Sequence, residues 1–137
     1  MLKKASLVVV LLVSATVLMA MGGGRGGDFG RTPRVEKNHA VSITDAAGTV
    51  IEGEKFSWEG RLHVSGYLGM AQIIVPFDKV KELSVGEKKE RKVRVSARMR
   101  DGSETVFDVD ADSRCYGDAV FGSFMLQMDE IKAIQFK

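Results

Sequence analysis

From about His39 to the end of the chain, apolar and polar residues alternate with a period of two, the spacing of half-buried strands and not of helices. His39, Val41 and Ile43 fall on one side of the first such run, with Ala40, Ser42 and Thr44 on the other. Ala46-Ala47-Gly48 then interrupts. A three-residue loop ending in glycine suits a type I turn followed by a left-handed residue, so the chain should fold back with Ile43 opposite Ile51 and Asp45 opposite Thr49. Farther on, Val93, Val95, Ala97 and Met99 alternate with Lys92, Arg94, Ser96, Arg98 and Arg100. The returning run sets Thr105, Phe107, Val109 and Ala111 against Glu104, Val106, Asp108, Asp110 and Asp112. A two-residue Asp101-Gly102 turn would mix these faces, placing Val95 opposite Asp108. A loop of Asp101, Gly102 and Ser103 keeps them apart. It predicts Val95 opposite Val109 and Ala97 opposite Phe107. Arg100, Arg94 and Lys92 then face Glu104, Asp110 and Asp112.

The pattern occurs twice. Residues 73–85 match residues 124–136 at every apolar site: Ile73 with Phe124, Val75 with Leu126, Phe77 with Met128, Val80 with Ile131, Leu83 with Ile134 and Val85 with Phe136. Asp78 falls on Asp129 and Lys81 on Lys132; upstream, Val41-Ser42 and Gly48 fall on Val95-Ser96 and Gly102. Each copy reads as a hairpin, a long strand, a short turn capped by Asp78 or Asp129 with Val80 or Ile131 turned inward, and a closing strand. Pro76 has no N–H for a ladder, which places its strand at an edge or ends it there. Two copies, residues 38–86 and 92–137, predict one all-β domain over 38–137. It should be a pseudo-symmetric two-copy β-sandwich or flattened β-barrel of about eight strands, each copy burying its apolar face on the other.

Ahead of the domain, Lys3-Lys4 precede a nearly unbroken apolar run from Ala5 to Met21, and Ala20-Met21-Gly22 supplies small residues. This is the layout of a secretory signal peptide over 1–22, a helix cleaved after Gly22. An uncleaved anchor is the alternative, although the run is just short of the roughly 20 apolar residues a spanning helix prefers. A lipoprotein anchor would need a cysteine at the cut, and the single cysteine is Cys115. Residues 23–37 are dense in glycine and arginine and read as a flexible tether. Gly22, Gly24 and Gly27 imitate a dinucleotide-binding loop and Asp28-Phe29-Gly30 a kinase motif, but neither has the strand and helix its chemistry requires. Lys3 and Lys4 leave with the signal, which brings the 20 basic residues level with the 18 acidic ones. A neutral exported chain, periplasmic or secreted, has no general attraction for nucleic acid. With one cysteine it has no internal disulfide, so its core must hold it together.

Candidate chemistry is sparse. Lys88-Lys89, Arg91-Lys92, Arg94, Arg98 and Arg100 resemble a nucleic-acid stripe, but no aromatic interleaves them and the neighbouring strand supplies carboxylates. Asp108, Asp110 and Asp112 open like an EF-hand calcium loop, yet Ser113 stands where the sharp-turn glycine belongs and Ala119 where the bidentate Glu belongs. Strand alternation still gathers the three carboxylates on one face as a candidate metal site. His39 and His63 have no zinc-ligand spacing. Cys115 could meet a histidine in space as a thiol nucleophile, or lie buried and inert. Glu52, Glu54 and Glu59 are scattered carboxylates of the kind every small protein offers. Phe56, Trp58 and Tyr67 are candidates for lining a ligand groove, or for plugging the core. The expected function is that of an exported, non-enzymatic β-domain that needs no cofactor and binds a protein partner or cell-envelope component. It would meet the membrane only through an uncleaved signal. The alternatives are a calcium-binding or calcium-stabilised extracytoplasmic module and a small hydrolase or thiol enzyme.

Overall fold

A computed structural model of the protein describes residues 32–137; the expected signal peptide and the expected tether up to residue 31 lie outside the described residues. Ten strands follow in chain order: β1 (Val41–Asp45), β2 (Val50–Trp58), β3 (His63–Leu68), β4 (Ala71–Pro76), β5 (Val80–Lys89), β6 (Lys92–Met99), β7 (Glu104–Asp110), β8 (Arg114–Ala119), β9 (Gly122–Gln127) and β10 (Ile131–Phe136). One-turn 3₁₀ helices, Phe77–Lys79 and Met128–Glu130, precede β5 and β10. The all-β expectation holds, but the sandwich of about eight strands gives way to one curled, antiparallel, ten-stranded sheet, a half-barrel. The two extra strands arise because the long strand expected in each copy is a hairpin. Gly69-Met70 turns β3 into β4, and Val120-Phe121 turns β8 into β9.

The strand order is β4-β3-β7-β6-β5-β10-β1-β2-β8-β9. Exchanging each strand for its counterpart five places on in the chain gives the same order read backwards, so the sheet has a pseudo-two-fold axis between β5 and β10. Leu83 and Ile134, equivalent in the repeat, are partners across that seam. The copies also trade hairpins: β3–β4 docks on β7 of the other copy, and β8–β9 on β2. The core is contributed by both copies. Val41, Ile43, Leu83, Val95, Val109 and Ile134 are fully buried, as are Val80 and its equivalent Ile131 almost completely. The rings of Phe56, Phe77 and Phe136 meet at centroid distances of 5.0–5.7 Å. Such edge and tilted contacts add to what burial of each ring contributes.

The β1–β2 hairpin has the expected register, with Ile43 opposite Ile51 and Gly48 at a φ of 91° closing the loop. The β6–β7 hairpin does not. Val95 lies opposite Phe107, Ala97 opposite Thr105, Arg94 opposite Asp108 and Arg98 opposite Glu104. Its loop is Arg100, Asp101 and Gly102, with Gly102 at a φ of 92°. The expected pairing is therefore displaced by two residues. A two-residue displacement leaves every side chain on its own face, so burial cannot distinguish the registers. The left-handed residue can, because glycine enters that region without the steric cost borne by other residues.

The turns before β5 and β10 also differ from expectation. Asp78 and Asp129 lie inside the 3₁₀ turns and cap nothing; they accept bonds from Lys37 at 2.6 Å and Lys88 at 3.1 Å. Pro76 occupies the N-cap of the first turn without a side-chain bond. Gln127 and Glu130 form a reciprocal capping box at the second, where the Gln127 N–H donates to Glu130 Oε1 at 2.9 Å. Pro76 does end an edge strand. At the described end of the expected tether, Lys37 donates to Asp78 at 2.6 Å and the Glu36 carbonyl accepts from Lys55 Nζ at 3.4 Å.

Candidate functional site

The sequence-predicted residues do not converge. Asp108 accepts a bond from Arg94 Nε at 3.4 Å, Asp110 stands opposite Lys92, and Asp112 lies beyond the end of β7 on an exposed turn. Among the described residues no three His, Cys, Asp or Glu side chains come close enough together to hold a metal ion. Phe56 is fully buried among Phe77 and Phe136, so it plugs the core and lines no groove. Tyr67 lies under Lys92, whose Nζ is 4.1 Å from the ring centroid, a cation–π contact. Trp58, nearly buried, lines a cleft of about 530 Å³ where the β2–β3 and β7–β8 connections meet. That cleft also presents Glu59, Arg61, Asp110 and Asp112, a mixture of both charges.

Cys115 is fully buried on β8 with its Sγ 3.6 Å from Met128 Sδ. Burial, with Glu59 as a lesser cause, pushes its thiol far above the ordinary range, so it stays protonated and weakly nucleophilic. His39 packs edge-on against Phe77 at 5.3 Å. Desolvation lowers its pKa from 6.5, outweighing the opposing pull of Asp78. Part of the basic stripe is engaged, although Lys89 lies opposite Lys92. Arg100 donates to the carbonyls of Asp78 at 3.1 Å and Lys137 at 3.4 Å, while Arg98 sits between Glu82 and Glu104 in the ladder.

Apolar residues at the two end hairpins are exposed instead. Met70 and Val120 are fully open to solvent, and Leu68, Ile74 and Phe121 are more than half exposed. Met70 and Phe121 are equivalent in the repeat, at corresponding positions of the two turns. Beside the second tip runs a cleft of about 550 Å³ bordered by Glu52, Glu54, Asp118 and Lys137. There the Lys137 ammonium, 2.6 Å from Glu52, leads the causes that hold this carboxyl below its ordinary range, with Ser42 second. Sequence reading passed over these tips, although a large apolar residue beside Gly69 or Gly122 is the signal that would have found them.

Residues 35–137 match the model of a family described as "Uncharacterised protein". The chain belongs to that family. No curated protein matches it. Among the described residues no helix is long and apolar enough to cross a membrane.

Proposed function

We propose that the protein is an exported, non-enzymatic β-domain that binds a protein partner or a component of the cell envelope. The observation that carries this reading is the placement of exposed apolar side chains at both end hairpins, with Leu68 and Met70 on one and Val120 and Phe121 on the other. Apolar residues exposed singly are ordinary, whereas adjacent ones that form a contiguous patch mark contact surfaces. A buried, protonated Cys115 and carboxylates engaged by Arg94 and Lys88 support the non-enzymatic part. The signal-like segment 1–22 supports export.

Cross-linking in the envelope fraction tests it, comparing the wild-type chain with Met70→Ser/Phe121→Ser. Both residues are exposed, so the variant should keep its fold and lose the specific cross-linked species. Identical products from both chains, or none from either, would contradict the reading. The calcium alternative makes a separate expectation. With Asp108 held by Arg94, the thermal midpoint should be the same in millimolar calcium and in chelator, and a rise with calcium would revive that alternative.

A further inference from the structure

The strands at the two ends of the sheet, β4 (Ala-Gln-Ile-Ile-Val-Pro) and β9 (Gly-Ser-Phe-Met-Leu-Gln), contain no charged residue, although 28% of the chain is charged. Edge strands usually carry charge or a bulge to prevent pairing with another chain. The hydrogen-bond phase of each edge follows from two bonds. Phe77 N–H donates to the Leu62 carbonyl at 3.1 Å, and Met128 N–H to that of Ser113 at 2.9 Å. Antiparallel bonding alternates along a strand, so Ala71, Ile73 and Val75 bond inward to β3, as Gly122, Phe124 and Leu126 do to β8. The backbones of Gln72, Ile74 and Pro76, and of Ser123, Met125 and Gln127, therefore face outward.

Both edges are blunted at the same equivalent position. Pro76 has no N–H, and the Gln127 N–H is taken by Glu130. Each edge keeps two outward N–H groups, on Gln72 and Ile74 or on Ser123 and Met125, with no backbone partner among the described residues. An antiparallel match with Ile74 opposite Met125 satisfies all four. Ile74 and Met125 exchange both bonds, Gln72 donates to the Gln127 carbonyl, and Ser123 donates to the Pro76 carbonyl. The two missing donors fall at opposite ends of the match, where neither interrupts a pair of mutual bonds. Such a match would repeat the internal seam, where the equivalent residues Leu83 and Ile134 are likewise partners.

We propose that β4 of one molecule pairs with β9 of a second copy of this chain, with Ile74 opposite Met125. Each molecule offers one edge of each kind, so association runs head to tail and occupies edges that pairing of β4 with β4 would leave open. The edges run on from the hairpin tips and share Ile74 with that exposed apolar group, but pairing between copies does not depend on the function proposed above.

Sedimentation of the protein purified from expression of the full-length chain tests the pairing. The wild-type mass should rise with concentration. Ile74→Lys and Met125→Glu, which place a charge on one side of the match, should each sediment as a monomer at concentrations where wild type associates. The double variant Ile74→Lys/Met125→Glu places opposite charges face to face and should regain association, less so at high salt. Circular dichroism and melting serve as the folding check for each variant. A wild-type chain that is monomeric throughout would overturn the proposal. So would a Met125→Glu chain that still associates, or a folded double variant that remains a monomer.

Discussion

At the residue scale, burial decides which side chains can react. Cys115 is surrounded by the core and its thiolate is disfavoured by desolvation, so a thiol reagent should leave the folded protein unmodified and label it completely once denaturant exposes the site. Mass spectrometry before and after unfolding checks this, and rapid labelling of the folded chain would revive a thiol chemistry. His39 gives a pH dependence with a definite sign. Its folded pKa lies below the unfolded 6.5, so just below that pH the unfolded chain binds a proton that the folded chain does not. The stability contributed by the neutral imidazole is thus present above about pH 6.5 and is lost as pH falls from there through the lowered folded value. Denaturant midpoints should decline over this interval, and His39→Gln should flatten the decline. An NMR titration of His39 with a midpoint above 6.5 would reverse the sign.

At the element scale, the β6–β7 hairpin shows what alternation can and cannot specify. The faces were legible: Val93, Val95 and Ala97 are buried with Phe107 and Val109, as the period of two requires. The register was not, because slips of two residues preserve the faces. The deciding information lay in the repeat itself, since Gly48 closes the first loop and its equivalent Gly102 closes the second at nearly the same φ. The charged pairs follow the register and do not set it. Arg94 is mostly exposed, and its bond to Asp108 is of the kind that contributes about 0–1 kcal/mol. Phe107 is 2% exposed, and its ring lies where a Cβ on Gly66 would come within 2.6 Å of it. Phe107→Ala should therefore cost about 3–5 kcal/mol in equilibrium unfolding. Arg94→Ala should cost no more than about 1 kcal/mol. Comparable losses from the two would mean that charge pairing holds the hairpin.

At the scale of the whole molecule, the repeat was readable and its consequence was not. Matching apolar sites over 73–85 and 124–136 announce two similar units, and the two segments do form the same strand–turn–strand sequence. Nothing in those residues says that each unit gives its β3–β4 or β8–β9 hairpin to the other, because strand exchange is decided by contacts distant in sequence. The candidate site was less legible still. Phe56 and Trp58 drew attention as aromatics but are buried, whereas Met70 and Phe121 are exposed only because turns interrupt what reads as one long strand.

The central claim is that two similar units are joined by a seam and by exchanged hairpins. Cross-strand NOEs test it most directly. The account expects contacts of Leu83 with Ile134 at the seam, Tyr67 with Asp108 between β3 and β7, and Tyr116 with Ser57 between β8 and β2. Pairing of β2 with β3 and of β7 with β8, each hairpin staying within its own unit, would contradict it.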